Sequence, residues 1–301
     1  MNNSRERKGF NPQLEEAHQK DTDWIFGASS PTCIALIPMH DRERYFPRGE
    51  VQRGRDDFMD CATRGPDEDL EAKFTWLYQN GLLDPADREW FDVKRYTVVR
   101  EDIGHTVEFS DRFNAILSGT TAVGNSMIAP IDSIHSHGLI PKSMLPSRPD
   151  MTLEEYLDPK AVTPQMRELG MQFLSRFSIY YERVLLKDFP AAIEQDMLVV
   201  AGYAWPKPKD GIYPKTDNDP NHVFVYFKTP KYHVRDSYLD DGQPDDFVKR
   251  LAHNYNLMDY GYRLFIRKND VSAPRSFVDQ LVSALFYGRL AELWRLITKG
   301  A

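Results

Sequence analysis

Cysteine is scarce in this chain of 301 residues, which carries only Cys33 and Cys61. Two thiols cannot form the disulfide framework of a secreted scaffold of this length. No leading stretch combines a basic start with an apolar run, so synthesis in a reducing, intracellular setting is expected. Long hydrophobic runs are missing as well: no window approaches the roughly 18 apolar residues of a membrane span, and a soluble protein without a membrane partner is expected. Positive charge is in deficit, with a net charge of −7, which removes the general electrostatic reason to bind nucleic acid. There is no internal repeat and no low-complexity segment. Gly119–Gly124 (GTTAVG) lacks the lysine and the preceding strand of a phosphate loop. Among eight histidines the only close pair is His135 and His137, with no third ligand at metal-binding spacing, so neither a metal nor another cofactor is expected.

What remains is an apolar fraction of 41%, ample for a core in one large domain or in two lobes sharing a cleft. Residues 1–50 are polar and proline-punctuated apart from Cys33–Pro38 (CIALIP), which suggests an extension that packs on the body. Between Asp67 and Asn80 the apolar positions Leu70, Phe74, Leu77 and Tyr78 have helical spacing, and Gly81 fits the position after the last turn. Pro66 suits a first turn, so this helix either begins there or begins near Cys61 and bends. Leu83–Trp90 reads as a short helical piece and Tyr96–Arg100 as a strand. Ser110 with Asp111 caps a helix through Leu117; Asn125 or Ser126 caps another that Gly138 ends. Met151–Tyr156 and Gln165–Phe177 supply two more, so residues 51–190 read as a largely helical lobe.

After Pro190 the texture changes. Met197–Ala204, Val223–Phe227, Tyr232–Tyr238 and Tyr260–Arg267 are short, rich in β-branched and aromatic residues, and separated by turn residues, the pattern of antiparallel strands over 191–270. Ser276–Lys299, within 271–301, reads as an amphipathic helix that docks on the body or offers a face to a partner. The expected fold class is therefore α+β, a helical lobe followed by an antiparallel β lobe, flanked by an N-terminal extension and a C-terminal helix.

A thiol at a helix start is exposed to backbone N–H groups and to the macrodipole, which favour the thiolate. Cys61 occupies such a place, ahead of the best helical run in the first half. A working thiol also needs a base, a group that orients the base, and donors for the oxyanion. Asn221-His222 opens one expected strand, and Asp236-Ser237 closes the next. If the loop between them has an odd length, Phe224 faces Asp236, and His222 lies diagonal to it on the same face, about 7–8 Å away at the backbone. An even length turns the two to opposite faces.

These residues resemble a family. Cys61 at a helix start in a helical lobe, His222 after Asn221, and Asp236-Ser237-Tyr238 ending the following strand are similar to the papain-like cysteine peptidases. The segments FMDCAT, SDRFNAILSGTTAVGNS, SIHSHGLIPKSMLP, NHVFVYF and VRDSY resemble the divergent branch of that superfamily from bacteriophages and metagenomic sequences, over about residues 51–268. The resemblance implies a papain-like two-lobe fold and a thiol peptidase acting on peptide or protein substrates. Cys61 would be the nucleophile, His222 the general base, and Asp236 a replacement for the asparagine that papain uses to orient its imidazole. Gln52 would be the oxyanion-hole glutamine, and Gly119, Thr120, Gly124 and Asn125 would line substrate subsites, although a tight turn before a helix also accounts for the last four. The alternative implied is an inactive relative serving in a phage particle or its assembly, with phage particle proteins as partners. The cytoplasm of a host cell or the virion is the expected location.

Three departures from the family pattern stand out. Gln52 precedes Cys61 by nine residues, with Arg55 in the place the family gives to glutamine. Ala62 replaces the aromatic residue that commonly follows the nucleophile. Gly65-Pro66 interrupts the nucleophile helix.

Overall fold

The computed structural model describes residues 9–18, 36–48, 52, 55–230, 232–238 and 247–269. Cys33 and the expected helix Ser276–Lys299 lie outside the described residues. The elements in order are α1 (Pro12–His18), α2 (Arg42–Tyr45), α3 (Cys61–Gln79), α4 (Pro85–Val93), β1 (Thr97–Arg100), β2 (Gly104–Val107), α5 (Asp111–Leu117), α6 (Ile128–His137), α7 (Leu153–Tyr156), α8 (Pro164–Arg176), β3 (Phe177–Leu185), α9 (Phe189–Gln195), β4 (Leu198–Gly202), β5 (Ile212–Tyr213), β6 (His222–Lys228), β7 (Tyr232–Arg235), β8 (Val248–Leu251) and β9 (Leu257–Lys268). The fold is α+β, with a helical part and a sheet part. The sheet has seven strands in the order β3-β9-β4-β6-β7-β8-β5, antiparallel throughout except where β5 runs parallel to β8. Among the described residues no helix is long and apolar enough to cross a membrane.

Helix α3 is the axis of the molecule. It begins at Cys61 and runs unbroken through Pro66, so the later start at Pro66 is not what forms. Pro66 cannot donate to the Ala62 carbonyl, a loss that packing on both sides of the helix offsets. Gly65 is where that packing is tightest. A Cβ there would lie 2.8 Å from Val223 Cγ1 of β6 and 3.2 Å from Val199 Cγ1 of β4. The glycine that looks like an interruption in the sequence is thus the residue that lets the helix backbone lie on the sheet.

On its other flank Phe74 gathers an aromatic cluster, with ring centroids 5.1 Å from Phe177, 5.5 Å from Phe173 and 5.7 Å from Phe109. The edge-to-face geometry of these pairs adds to the burial of their area. Every residue of α3 except Trp76 and Gln79 is buried, so its charged side chains are buried too. Arg64 pairs with Asp60 at 3.0 Å and with Asp111 at 3.1 Å. Lys73 lies between Asp69 at 2.8 Å and Asp196 at 3.0 Å, and also donates to the Leu264 carbonyl of β9 at 2.7 Å. These pairs bolt the helix to both halves of the molecule.

Two differences from the sequence expectation have plain causes. Strand β3 follows α8 with no glycine, proline or asparagine between them, so the helical reading of residues up to 190 overlooks an edge strand of the main sheet. The expected strand over Tyr232–Tyr238 is regular only to Arg235; Asp236 still continues the pairing with β8 by donating its backbone N–H to the Phe247 carbonyl at 2.9 Å, one residue beyond the Arg235–Val248 pair.

Two outcomes are expected. Gly65→Ala forces Val223 or the helix to shift, and overpacking of this kind costs about 1–3 kcal/mol, measurable by urea denaturation. Burial pushes the Glu68 carboxyl up to about 8 against the opposing Arg235, and the Asp69 carboxyl up to about 7 against Lys73. The folded protein therefore keeps protons that the unfolded chain releases near pH 4, and stability falls as pH rises from about 5 to about 8. Melting temperatures across that range should decline, and Glu68→Gln should flatten the decline.

Candidate active site

The pairing of β6 with β7 sets the relation between histidine and aspartate. Val225 faces Arg235, and a register shift lies between Tyr226 and Lys228, nearer the turn. Continued one residue, this register puts Phe224 opposite Asp236, the odd-length alternative, so His222 and Asp236 share a face. Their side chains meet: His222 Nε2 lies 2.5 Å from Asp236 Oδ1, and both residues are fully buried.

The pair is held from three sides. The Tyr238 ring packs 5.1 Å from the imidazole, and Trp205 meets it edge-on at 5.6 Å. Lys249 of β8 contacts Asp236 Oδ2 at 2.7 Å and donates to the Tyr238 carbonyl at 2.5 Å. Burial alone would raise the Asp236 carboxyl, but Lys249 and His222 outweigh it and hold it well below the usual carboxylate range. Asp236 is thus a permanent carboxylate, suited to fixing the imidazole and unsuited to taking its proton.

Cys61 is the first residue of α3, which packs against β6, and is fully buried. Val223 is the neighbour of His222. Burial pushes the thiol well above its ordinary value; the Val223 contact opposes this, and the nearby carboxylates Asp60, Asp57 and Asp236 add to it. The helix start alone does not produce a thiolate here, because the surroundings are dry and acidic. The entry to the helix is itself strained, with Met59 at φ 55°. Asp57 Oδ1 steadies it by accepting from the Met59 N–H at 3.0 Å.

Gln52 is buried beside the aspartate turn. Its backbone N–H donates to the Ser237 carbonyl at 2.9 Å, its Oε1 accepts from Ser237 Oγ at 3.0 Å, and its Nε2 donates to Asp57 Oδ1 at 2.9 Å. Tyr238 donates its hydroxyl to the other Asp57 oxygen. Arg55, at the spacing a papain-like enzyme gives to its glutamine, is exposed and donates its backbone N–H to the Pro149 carbonyl at 2.7 Å. Three-dimensional placement thus sets the more distant Gln52, and not Arg55, against the His–Asp strands.

The expected subsite residues fall on the turn before α6. Gly119 has φ 77° with open space beyond it, and Thr120 Oγ1 lies 3.5 Å from Thr63 Oγ1 on the first turn of α3. Asn125 Nδ2 donates to Thr120 Oγ1 at 3.1 Å, and Gly124 closes the turn by donating to the Thr121 carbonyl at 2.9 Å. A surface pocket of about 460 Å³ between α4 and α8, lined by Val93, Arg95, Met144 and Leu169, includes none of these residues. Among the described residues no cluster of histidine, cysteine and carboxylates has the arrangement of a metal site.

Asp57, Lys249 and Trp205 were not visible as site residues in the sequence. Asp57 lies in a run of charged residues, Lys249 in a short strand beyond 246, and Trp205 in a proline-flanked loop. Only the fold brings them to the imidazole and the thiol.

No protein-family model matches the chain, and no curated protein matches it. Solved structures of similar fold include the proform of the ragweed pollen allergen Amb a 11, a cysteine protease, at 13% identity and TM-score 0.49, covering 90% of this chain and 71% of that one. Xylellain, a cysteine protease from Xylella fastidiosa, aligns at 13% identity and TM-score 0.46, over 90% of this chain and 100% of its own. The bromelain protease from Ananas comosus aligns at 13% identity and TM-score 0.45, over 78% and 99%.

Lys249→Met should leave one buried oxygen of Asp236 without its cation, and a loss of about 3–5 kcal/mol is expected from chemical denaturation. Adding Asp236→Asn to that variant should recover part of the loss, because the two substitutions act on one ion pair.

Proposed function

We propose that this protein is a thiol-dependent hydrolase that cleaves peptide amide bonds. The observation that carries the proposal is the buried His222–Asp236 contact of 2.5 Å, beside a strand packed against the helix that Cys61 begins. In this reading residues 51–190 carry the nucleophile and 191–270 its base. His222, with Nε2 tied to Asp236, uses its other ring nitrogen to take the Cys61 proton as the sulfur attacks the scissile carbonyl. Asp236 stabilises the imidazolium that forms, and Lys249 keeps Asp236 from competing for the proton. The oxyanion is met by the Cys61 backbone N–H and by Gln52 Nε2. The imidazolium then protonates the leaving amine, and water hydrolyses the thioester. Gly119, Thr120, Gly124 and Asn125 receive the substrate backbone.

A second reading has an observation in its favour. Cys61 is fully buried with its thiol pushed up, and Gln52 Nε2 already donates to Asp57, a carboxylate near the sulfur. That arrangement fits a catalytically inactive relative of the papain-like branch found in bacteriophages, acting in a particle or its assembly. Purified protein incubated with a fluorogenic peptide library near neutral pH separates the two. Peptide hydrolysis that falls by about 10³-fold or more in Cys61→Ser and by a comparable factor in His222→Ala is the expected outcome for a catalytic pair acting as a unit. Hydrolysis unchanged by either substitution, or absent from the native chain and from a variant with an exposed Cys61, excludes the peptidase reading.

A further inference from the structure

Gln52 precedes Cys61 by nine residues, farther than the family pattern places its glutamine, and the chain between them closes on itself. The Phe58 N–H donates to the Gln52 carbonyl at 3.3 Å, so the backbone returns to Gln52 before the helix begins. The outer side of this loop is pinned elsewhere. The Arg55 N–H donates to the Pro149 carbonyl at 2.7 Å, Asp56 Oδ2 accepts from the Leu153 N–H at 3.0 Å, and Phe58 stacks on Tyr156 with ring centroids 4.3 Å apart. The added length is therefore a closed excursion that brings Gln52 back beside the residues entering α3.

Asp57 stands where the loop closes. Its Oδ1 accepts from Gln52 Nε2 at 2.9 Å and from the Met59 N–H at 3.0 Å, and its Oδ2 accepts from the Tyr238 hydroxyl. One oxygen is thus shared between the side-chain donor of the proposed oxyanion hole and the backbone two residues before Cys61, whose N–H is the other donor. Two donors serve an oxyanion only at the right separation, so a tie between their supports is the constraint that this chemistry needs. Ser237 Oγ donates to Gln52 Oε1 at 3.0 Å, so the amide is held at both ends and its oxygen and nitrogen cannot exchange places. An amide nitrogen carries two N–H bonds, and the bond to Asp57 orients the group without using both. The same carboxylate offsets the strain of Met59 at φ 55°, and through Tyr238 it reaches the ring that packs 5.1 Å from the imidazole. Its charge raises the Cys61 thiol, so a carboxylate is unfavourable here on electrostatic grounds. What Asp57 supplies is its acceptors.

We propose that Asp57 is a positioning residue, an acceptor that sets the Gln52 amide against the Cys61 backbone N–H and so fixes the spacing of the two oxyanion donors. The inference rests on the peptidase reading of the site and adds to it the residue that makes the distant Gln52 usable.

The test uses the full chain with Cys33→Ser as background, so that Cys61 is the only thiol, and compares Asp57→Asn with Asp57→Ala. Both variants remove the same charge. Asparagine keeps an oxygen that can accept from Gln52 and Met59, and its amide nitrogen can face the Tyr238 hydroxyl, so the difference between the variants reports the acceptor alone. Asp57 is half-buried and the loop is pinned at Arg55, Asp56 and Phe58, so both variants should fold, as circular dichroism will show. Asp57→Ser, whose hydroxyl is too short to reach both donors, replaces the alanine variant if that one does not.

With a fluorogenic peptide, kcat is expected to fall by about 10²–10³-fold in Asp57→Ala with KM within about threefold, the loss that follows removal of one oxyanion donor. In Asp57→Asn, kcat should recover to within about tenfold of the background. Equal kcat in the two variants, or a change confined to KM, overturns the proposal and leaves the peptidase reading standing. If the background protein hydrolyses no peptide, the peptidase reading fails and alkylation of Cys61 by iodoacetamide, which forms no oxyanion, decides the role of Asp57. Labelling about 10-fold faster or more in Asp57→Ala than in Asp57→Asn shows that the acceptor holds the helix entry in place, whereas labelling within twofold overturns the proposal.

Discussion

The contact of α3 with β6 at Gly65 and Val223 is the constraint on which the rest of this structure depends. With no side chain at position 65, the helix lies directly on the strand, and its first residue, Cys61, is fully buried. His222, next to Val223, is the first residue of that strand, so the same close approach sets the helix against the strand that carries the imidazole. A larger residue at 65 would act about one helical turn from Cys61, as a lever at the base of the helix start.

That placement carries an electrostatic penalty, and the structure meets it by pairing. A helix buried on both faces cannot send its charged residues to water, so Arg64, Lys73 and their carboxylate partners are neutralised in the interior. Burial outweighs the nearby cations Arg64 at Asp67 and Lys142 at Glu71, so both carboxyls are driven toward the protonated form, and they accept hydrogen bonds from Asn114 and the Phe109 backbone. Buried ion pairs contribute less to stability than their number suggests, since desolvation consumes most of the Coulomb gain. Their effect is to fix which carboxylate meets which cation, and so the rotation of α3 about its axis.

The sequence carried the strong periodicities. The helix through Leu70, Phe74 and Leu77, the Ser110 cap, the stop at Gly138 and the central strands β4, β6 and β9 follow from local chemistry and appear where that chemistry puts them. His222 and Asp236 were legible as a pair because a hairpin's register is a local property. Strand β3 was not, since nothing punctuates its junction with α8. Gly65-Pro66 was misleading: a glycine reads as a breaker when its neighbours are known only along the chain, and as a contact when Val223 is seen across from it. Lys249, Asp57 and Glu15 escaped for a related reason. A charged residue in a polar stretch looks solvated, and only tertiary structure shows that its partner is Asp236, Gln52 or the start of α6.

Burial and the acidic surroundings act on the Cys61 thiol in the same direction. Burial is the largest influence on Cys61, and the same dryness magnifies the repulsion a thiolate would feel from Asp60, Asp57 and Asp236. Admitting water near the sulfur weakens both effects together, because desolvation falls and the carboxylates are screened. The thiol would then titrate lower while the His222–Asp236 pair, fixed by Lys249 and Tyr238 from behind, keeps its geometry. Exposure of the sulfur therefore changes access and reactivity in the same direction.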